Sequence, residues 1–150
     1  MPDYLQTTID KFTFRVAADR LYSTEGVWIE ETAAGRLRVG VTDFVQQHSG
    51  DIAFATVKVT GRKLIPGEEF AALETVKANV SLSLPFEATV VEANQALDAT
   101  PEVVNQSPYD EGWLAVVLAP GWATDQKGLL DARAYLAVMT AEAEREINQP

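Results

Sequence analysis

The chain has no cysteine among its 150 residues. That excludes disulfides and thiolate metal sites, and it suits a reducing compartment. It has one histidine, His48, near the end of a short helical segment. A lone histidine there reads as a helix-end contact to carbonyls rather than a catalytic base. The CxxC, HExxH, GxxxxGK[ST] and GxGxxG patterns are all missing. Basic residues are scarce: 12 Lys and Arg stand against 22 Asp and Glu, for a net charge of -10. Phosphate backbones need a basic surface, so nucleic acid is excluded as an expected partner. The acidity serves solubility, or steering toward basic patches on partner proteins. No run of ~18 apolar residues exists, so no membrane span is expected. The opening stretch, Met1 to Phe14, lacks a positive region and a long apolar core, so no signal peptide and a cytoplasmic location are expected. Carboxylates are plentiful, but no pair has a spacing that singles it out. No enzyme active site is legible, and a non-catalytic role follows as the expectation.

A chain of this length buries roughly two thirds of its unfolded surface and needs no staples. One domain over 1–150 is expected, with an N-terminal extension over 1–20 and a C-terminal helix over 129–147. Phe12 and Phe14 alternate with polar neighbours. The segment from Leu21 to Ile29 contains the strand formers Tyr22 and Trp28. Glu30 to Arg36 reads as a polar turn, and Leu37 to Val41 as the returning strand. Thr42 caps a short helix from Asp43 to His48, which Gly50 ends. Ile52 to Val59 is a strand with Ile52, Phe54 and Thr56 on one face. Phe70 to Val76 and Ala78 to Leu84 form a hairpin; Thr89 to Ala93 and Trp113 to Leu118 are further strands, and Pro101 opens a helical turn. In the last segment apolar residues at 130, 134, 135, 138 and 141 have helical spacing. The fold class is mainly β with short helices and a C-terminal helix, in a small closed or sandwiched domain.

The residue that stands out is Lys77, between Val76 and Ala78, at the tip of the expected hairpin. No basic residue lies within ten positions on either side. Taken alone, it is a solvated surface lysine or a covalent attachment point. A lysine on a stiff turn is what a group-carrier protein needs, because the cofactor brings the reactivity and the protein presents it.

These segments resemble the H proteins of the glycine cleavage system, a lipoyl-carrier family. The likeness lies in Val39-Gly40-Val41-Thr42-Asp43-Phe44 with Gly50-Asp51-Ile52, in Pro66-Gly67-Glu68-Glu69-Phe70, and in Glu74-Thr75-Val76-Lys77-Ala78. It continues in Val90-Val91-Glu92-Ala93-Asn94 with Leu97, and in Val104-Asn105-Gln106-Ser107-Pro108-Tyr109 with Gly112-Trp113. The resemblance implies a barrel-sandwich hybrid fold with lipoic acid bonded to Lys77 at a β-hairpin tip. It implies attachment by a lipoate ligase or a lipoyl/octanoyl transferase, with Glu74, Val76 and Ala78 marking the hairpin for it. Biotin-carrying relatives flank their lysine with methionines; Val76 and Ala78 disfavour biotin.

Two departures shape the expected cargo. Val27 stands where the family has a glutamate, and Ser81 where it has an aspartate. In the family those acids line the cleft that shelters the aminomethyl-loaded arm. With Val27, Trp28 and Ser81 as the expected arm cleft, a cationic cargo loses favourable charge pairing. The expectation is therefore sulfur transfer in dissimilatory sulfur oxidation, as in a divergent lipoate-binding branch that works with a heterodisulfide-reductase-like complex. The alternative is an H protein of glycine cleavage, working with the P, T and L proteins. A third reading is an unmodified scaffold that kept the fold. Phe86, where the family has a turn, reads as packing or as aromatic surface near the hairpin.

Overall fold

The computed structural model describes residues 3–59 and 61–147. Its strands are β1 (Tyr4–Ile9), β2 (Phe12–Ala17), β3 (Leu21–Tyr22), β4 (Val27–Ala33), β5 (Arg36–Val41), β6 (Ile52–Val57), β7 (Lys63–Leu64), β8 (Glu69–Thr75), β9 (Asn79–Ser83), β10 (Ala88–Ala93) and β11 (Ala115–Leu118). The helices are α1 (Asp43–Ser49), α2 (Ala96–Ala99), α3 (Val103–Gln106), α4 (Trp122–Asp125) and α5 (Ala132–Ile147). Among the described residues, no helix is long and apolar enough to cross a membrane.

The strands form three antiparallel sheets. One has six strands in the order β3-β4-β5-β11-β10-β7, one has three in the order β6-β8-β9, and β1 pairs with β2 alone. The two larger sheets share a core. Val27 and Ile29 of β4 and Leu37, Val39 and Val41 of β5 meet Phe70, Leu73 and Leu82 of the smaller sheet. Successive side chains on a strand point to opposite faces, so Trp28 leaves this core. It enters a second one with Phe14, Tyr22, Phe44, Tyr109, Tyr135 and Met139. Gly40 lies opposite Trp28 across the ladder. A Cβ on Gly40 would come within 2.6 Å of the indole, so the glycine is the space the indole occupies.

Capping chemistry sets the ends of α1. The Thr42 hydroxyl accepts from the Val45 N–H at 3.3 Å, Asp43 sits in the first turn, and Gly50 ends the helix at φ 84°, a positive φ that glycine adopts without a Cβ clash. At the start of α5 the Asp131 carboxylate accepts from the Ala134 N–H at 2.8 Å. The β1–β2 hairpin is fastened to the body through polar contacts. The Arg15 N–H donates to Asp43 at 2.9 Å, and the Tyr109 hydroxyl donates to the Arg15 carbonyl at 2.8 Å. The side chain of Gln47 reaches the Thr13 carbonyl at 3.0 Å.

Several elements depart from the periodicity. Leu21 to Ile29 is two strands, because the chain turns at Gly26 with φ 90°, where the Ser23 hydroxyl accepts from the Val27 N–H at 3.1 Å. Glu30 and Glu31 are not in a turn; they pair with Arg38 and Leu37, and the reversal waits for Ala34-Gly35. In β6 the register shifts between Ile52 and Phe54. That bulge turns Phe54 outward, 65% exposed, and puts Ala55 inside with Ile52. The short helices α2 and α4 have no side-chain cap to announce them. Phe86 is packing: it is buried with its ring edge-on to Trp122 at 5.6 Å.

Two outcomes are expected. Gly40→Ala drives a methyl into a fixed indole and lowers stability by about 1–3 kcal/mol in urea unfolding; an unchanged midpoint would show that Trp28 can move. Burial, above all else, pushes the hydroxyls of Tyr22, Tyr109 and Tyr135 well above the ordinary tyrosine value. A raised folded value means that their stabilisation is intact below the unfolded pKa of ~10 and is lost as the pH climbs past it. Tyrosinate absorbance from these three is expected to appear together with the loss of circular dichroism, not before it.

Candidate functional site

The hairpin of β8 and β9 is closed by one threonine. The Thr75 N–H donates to the Ala78 carbonyl at 2.9 Å. The Thr75 hydroxyl donates to the same carbonyl at 3.1 Å and accepts from the Ala78 N–H at 3.0 Å. With its backbone tied in this way, the tip Val76-Lys77-Ala78 stands out from the sheet, and Val76 is 98% exposed. Lys77 is exposed too, but its stem does not wave free. It lies over Gly50, where an added Cβ would sit 3.4 Å from the Lys77 Cε.

That resting place is held from below. The Asn105 amide donates to the Gly50 carbonyl at 2.9 Å and to the Gln46 side chain at 3.1 Å, while its oxygen accepts from the Ile52 N–H at 2.9 Å. One side chain thus fixes the link between α1 and β6. Asn105 reaches this link from a distant part of the chain. Asp43, in the first turn of α1, also binds the N-terminal hairpin.

Beside the lysine opens a cavity of about 680 Å³. Lys77 and Ser81 of the hairpin line one side, and His48 of α1 contributes to another. Glu25 enters from the turn before β4, and Glu142 and Tyr135 enter from α5. The Tyr135 hydroxyl is hydrogen-bonded to Thr42 at 2.8 Å, and its ring stacks on Tyr22 with centroids 4.7 Å apart. The nearby Glu142 carboxylate adds to the upward push that burial gives the Tyr135 hydroxyl. Among the described residues neither Glu25 nor Glu142 is held in an ion pair. Two carboxylates therefore border the same cavity as Lys77.

Glu74, Val76 and Ala78 sit on or beside the tip and are exposed. Ser81 lines the cavity. Val27 and Trp28 do not line it. Both are fully buried, Val27 in the first core and Trp28 in the second, where its indole N–H donates to the Pro108 carbonyl at 2.8 Å. The expected arm cleft at Val27 and Trp28 is therefore corrected: alternation along β4 turns one side chain into each core and leaves neither for a cleft. The acids that do line the cavity come from the turn before that strand and from the last helix. Tyr135 and Glu142 are seven apart, two helical turns on one face, and this was the one signal that placed them together. His48 contacts a side chain rather than carbonyls, its Nδ1 lying 3.1 Å from Glu146.

The family model for the glycine cleavage H-protein matches residues 20–142. The glycine cleavage system H protein of Chromohalobacter salexigens is 36% identical over 127 residues, covering 85% of this chain and 96% of that protein. That of Bacteroides fragilis is 42% identical over 120 residues, covering 80% of this chain and 94% of that protein. The crystal structure of a glycine cleavage system H protein from Mycobacterium marinum superposes with a TM-score of 0.70 at 30% identity, covering 81% of this chain and 97% of the other. Its fold is the barrel-sandwich hybrid, as expected here. Members of this family are non-catalytic carriers with a lipoyl group covalently bonded to a lysine. A tied hairpin displaying one amine beside an acidic cavity fits such a carrier, and the chain belongs to the glycine cleavage H-protein family.

Proposed function

We propose that this chain is the carrier of a glycine cleavage system, lipoylated on the Nζ of Lys77, with Glu25 and Glu142 steadying a cationic aminomethyl cargo. The observation that carries this reading is the pair of carboxylates lining the same cavity as Lys77. Sulfur transfer was expected because Val27 and Ser81 stand where the family has acids. With Glu25 and Glu142 at the cavity, a cation finds its counter-charges from other elements, and the ground for a sulfur cargo and a heterodisulfide-reductase-like partner falls away. The relatives carry the glycine cleavage name as well.

The residues at the tip suit covalent attachment. Lys77 is exposed, so a ligase or transferase reaches its amine, and the Thr75 clasp fixes the root of the arm. Exposed Glu74, Val76 and Ala78 give the attaching enzyme a shape to read. When bound, the lipoyl group supplies a disulfide that opens to take a group through sulfur, on a flexible stem. This chain's part is to present it, and tethering raises the cargo's effective concentration at each partner enzyme. The P, T and L proteins are the partners that the reading implies. In the cavity, Glu25 and Glu142 supply negative charge, and the Tyr135 hydroxyl adds a polar wall.

The test is loading. The lipoylated chain is incubated with glycine and the glycine-decarboxylating enzyme, and in parallel with a sulfane-sulfur donor, and intact masses are read. An aminomethyl increment is expected on the native chain and none on Lys77→Arg, since a guanidinium offers no amine for the amide. Lys77→Arg is expected to keep its stability within about 0.5 kcal/mol, as exposed substitutions do. Glu25→Gln and Glu142→Gln are each expected to shorten the lifetime of the loaded form about two- to fivefold, the size of a partly exposed charge pair. A sulfur adduct without aminomethyl loading would restore the sulfur reading. Absence of any lipoyl increment in protein from its native cell would leave only the scaffold.

A further inference from the structure

Lys77 borders a second, different cavity. It measures about 180 Å³ and is lined by Phe12, Phe14, Phe44, Gln47 and His48, with Ala143, Glu146 and Ile147 from the end of α5. The family match ends at 142 and begins at 20. Phe12 and Phe14 of the β1–β2 hairpin, and the helix end, therefore lie outside it. The parts of this chain that exceed the family model thus converge on the same lysine.

The pocket is built as an aromatic seat. Phe14 meets Phe44 edge-on at 5.4 Å, and Phe12 stacks against Phe14 at 6.3 Å. His48 stacks on Phe44 at 5.9 Å, and its contact to Glu146 joins α1 to α5 at the rim. Phe14 and Phe44 are buried, but Phe12 is left 41% exposed, so a covering group would remove apolar surface from water.

We propose that this pocket parks the oxidised end of the lipoyl arm, and that the charge of the cargo decides which of the two cavities the arm occupies. The inference rests on Lys77 being the lipoylated residue. A closed dithiolane carries no charge and no hydrogen-bond donor, and sulfur packs favourably against aromatic rings. The space is right: a dry apolar cavity of ~150 Å³ holds a benzene-sized ring, and this one holds a five-membered ring with the end of its stem. The loaded arm is disfavoured, because three phenylalanines desolvate a cation and the one carboxylate in the lining, Glu146, is already engaged by His48 Nδ1 at 3.1 Å. Glu25 and Glu142 offer a counter-charge in the other cavity. Both seats are reached from one root, since Lys77 lines each. Parking shields the disulfide from adventitious thiols until a partner draws it out.

The experiment uses the full chain lipoylated on Lys77. In the oxidised state, nuclear Overhauser contacts are expected from the dithiolane methylenes to the ring protons of Phe12 and Phe14, and these vanish on aminomethyl loading. A water-soluble phosphine then reduces the ring: the disulfide takes up two electrons and two protons, and the phosphine becomes its oxide with oxygen from water. Phe12→Ser, which alters a half-exposed ring and leaves the cores alone, is expected to speed this reduction at least about threefold, as the parked fraction falls. Ala143→Leu, which fills the pocket, is expected to do the same. Contacts to Tyr135 and Val80 instead, or equal reduction rates in all three proteins, would overturn the parking seat while leaving the carrier reading intact. A chain that never gains the lipoyl mass would overturn both.

Discussion

The fit of the Trp28 indole into the space over Gly40 is the constraint on which the rest of the molecule depends. Strand alternation sends Val27 and Ile29 into one core and Trp28 into another. A single strand therefore binds two bodies that would otherwise be unrelated. On one face lies the smaller sheet with the lysine hairpin; on the other lie the N-terminal hairpin and the last helix. Arg20 strengthens the join: its guanidinium is 4.3 Å from the Trp28 ring centre and donates to the Tyr109 carbonyl. Lys77 stands at the seam between the two bodies, and both cavities open beside it.

At that seam, stiffness and freedom are divided by position. The Thr75 clasp and the three hydrogen bonds of Asn105 immobilise the root and the surface on which the stem of Lys77 rests. A carrier gains from this division, because a fixed root makes one lysine recognisable and a long arm beyond it reaches several partners. Glu25 and Glu142 border the cavity that Lys77 lines, with Glu142 half-buried.

The display of the lysine was readable because it is local. Thr75 to Ala78 lies between two alternating runs, and the turn needs nothing from the rest of the chain. The helix Asp43–Ser49 was equally plain, since Thr42 and Gly50 are side-chain and backbone signals at its two ends. The strand Ile52–Val57 misled, because a bulge that moves Phe54 to the outside leaves no mark in a two-residue period. Val27 misled for a related reason. Its place in a family pattern says which residue type is missing there, not whether another element supplies the charge.

From sequence alone came the mainly β class, the carrier family and the hairpin that displays Lys77, because strand period, turn residues and motif spacing act over a few residues at a time. Tertiary structure alone decided that Glu25 and Glu142, far apart in the chain, border one cavity. It alone brought Phe12, Phe14 and the end of the last helix to a second cavity beside Lys77. Such meetings are set by how two cores pack on opposite faces of one strand, and no local pattern encodes that packing.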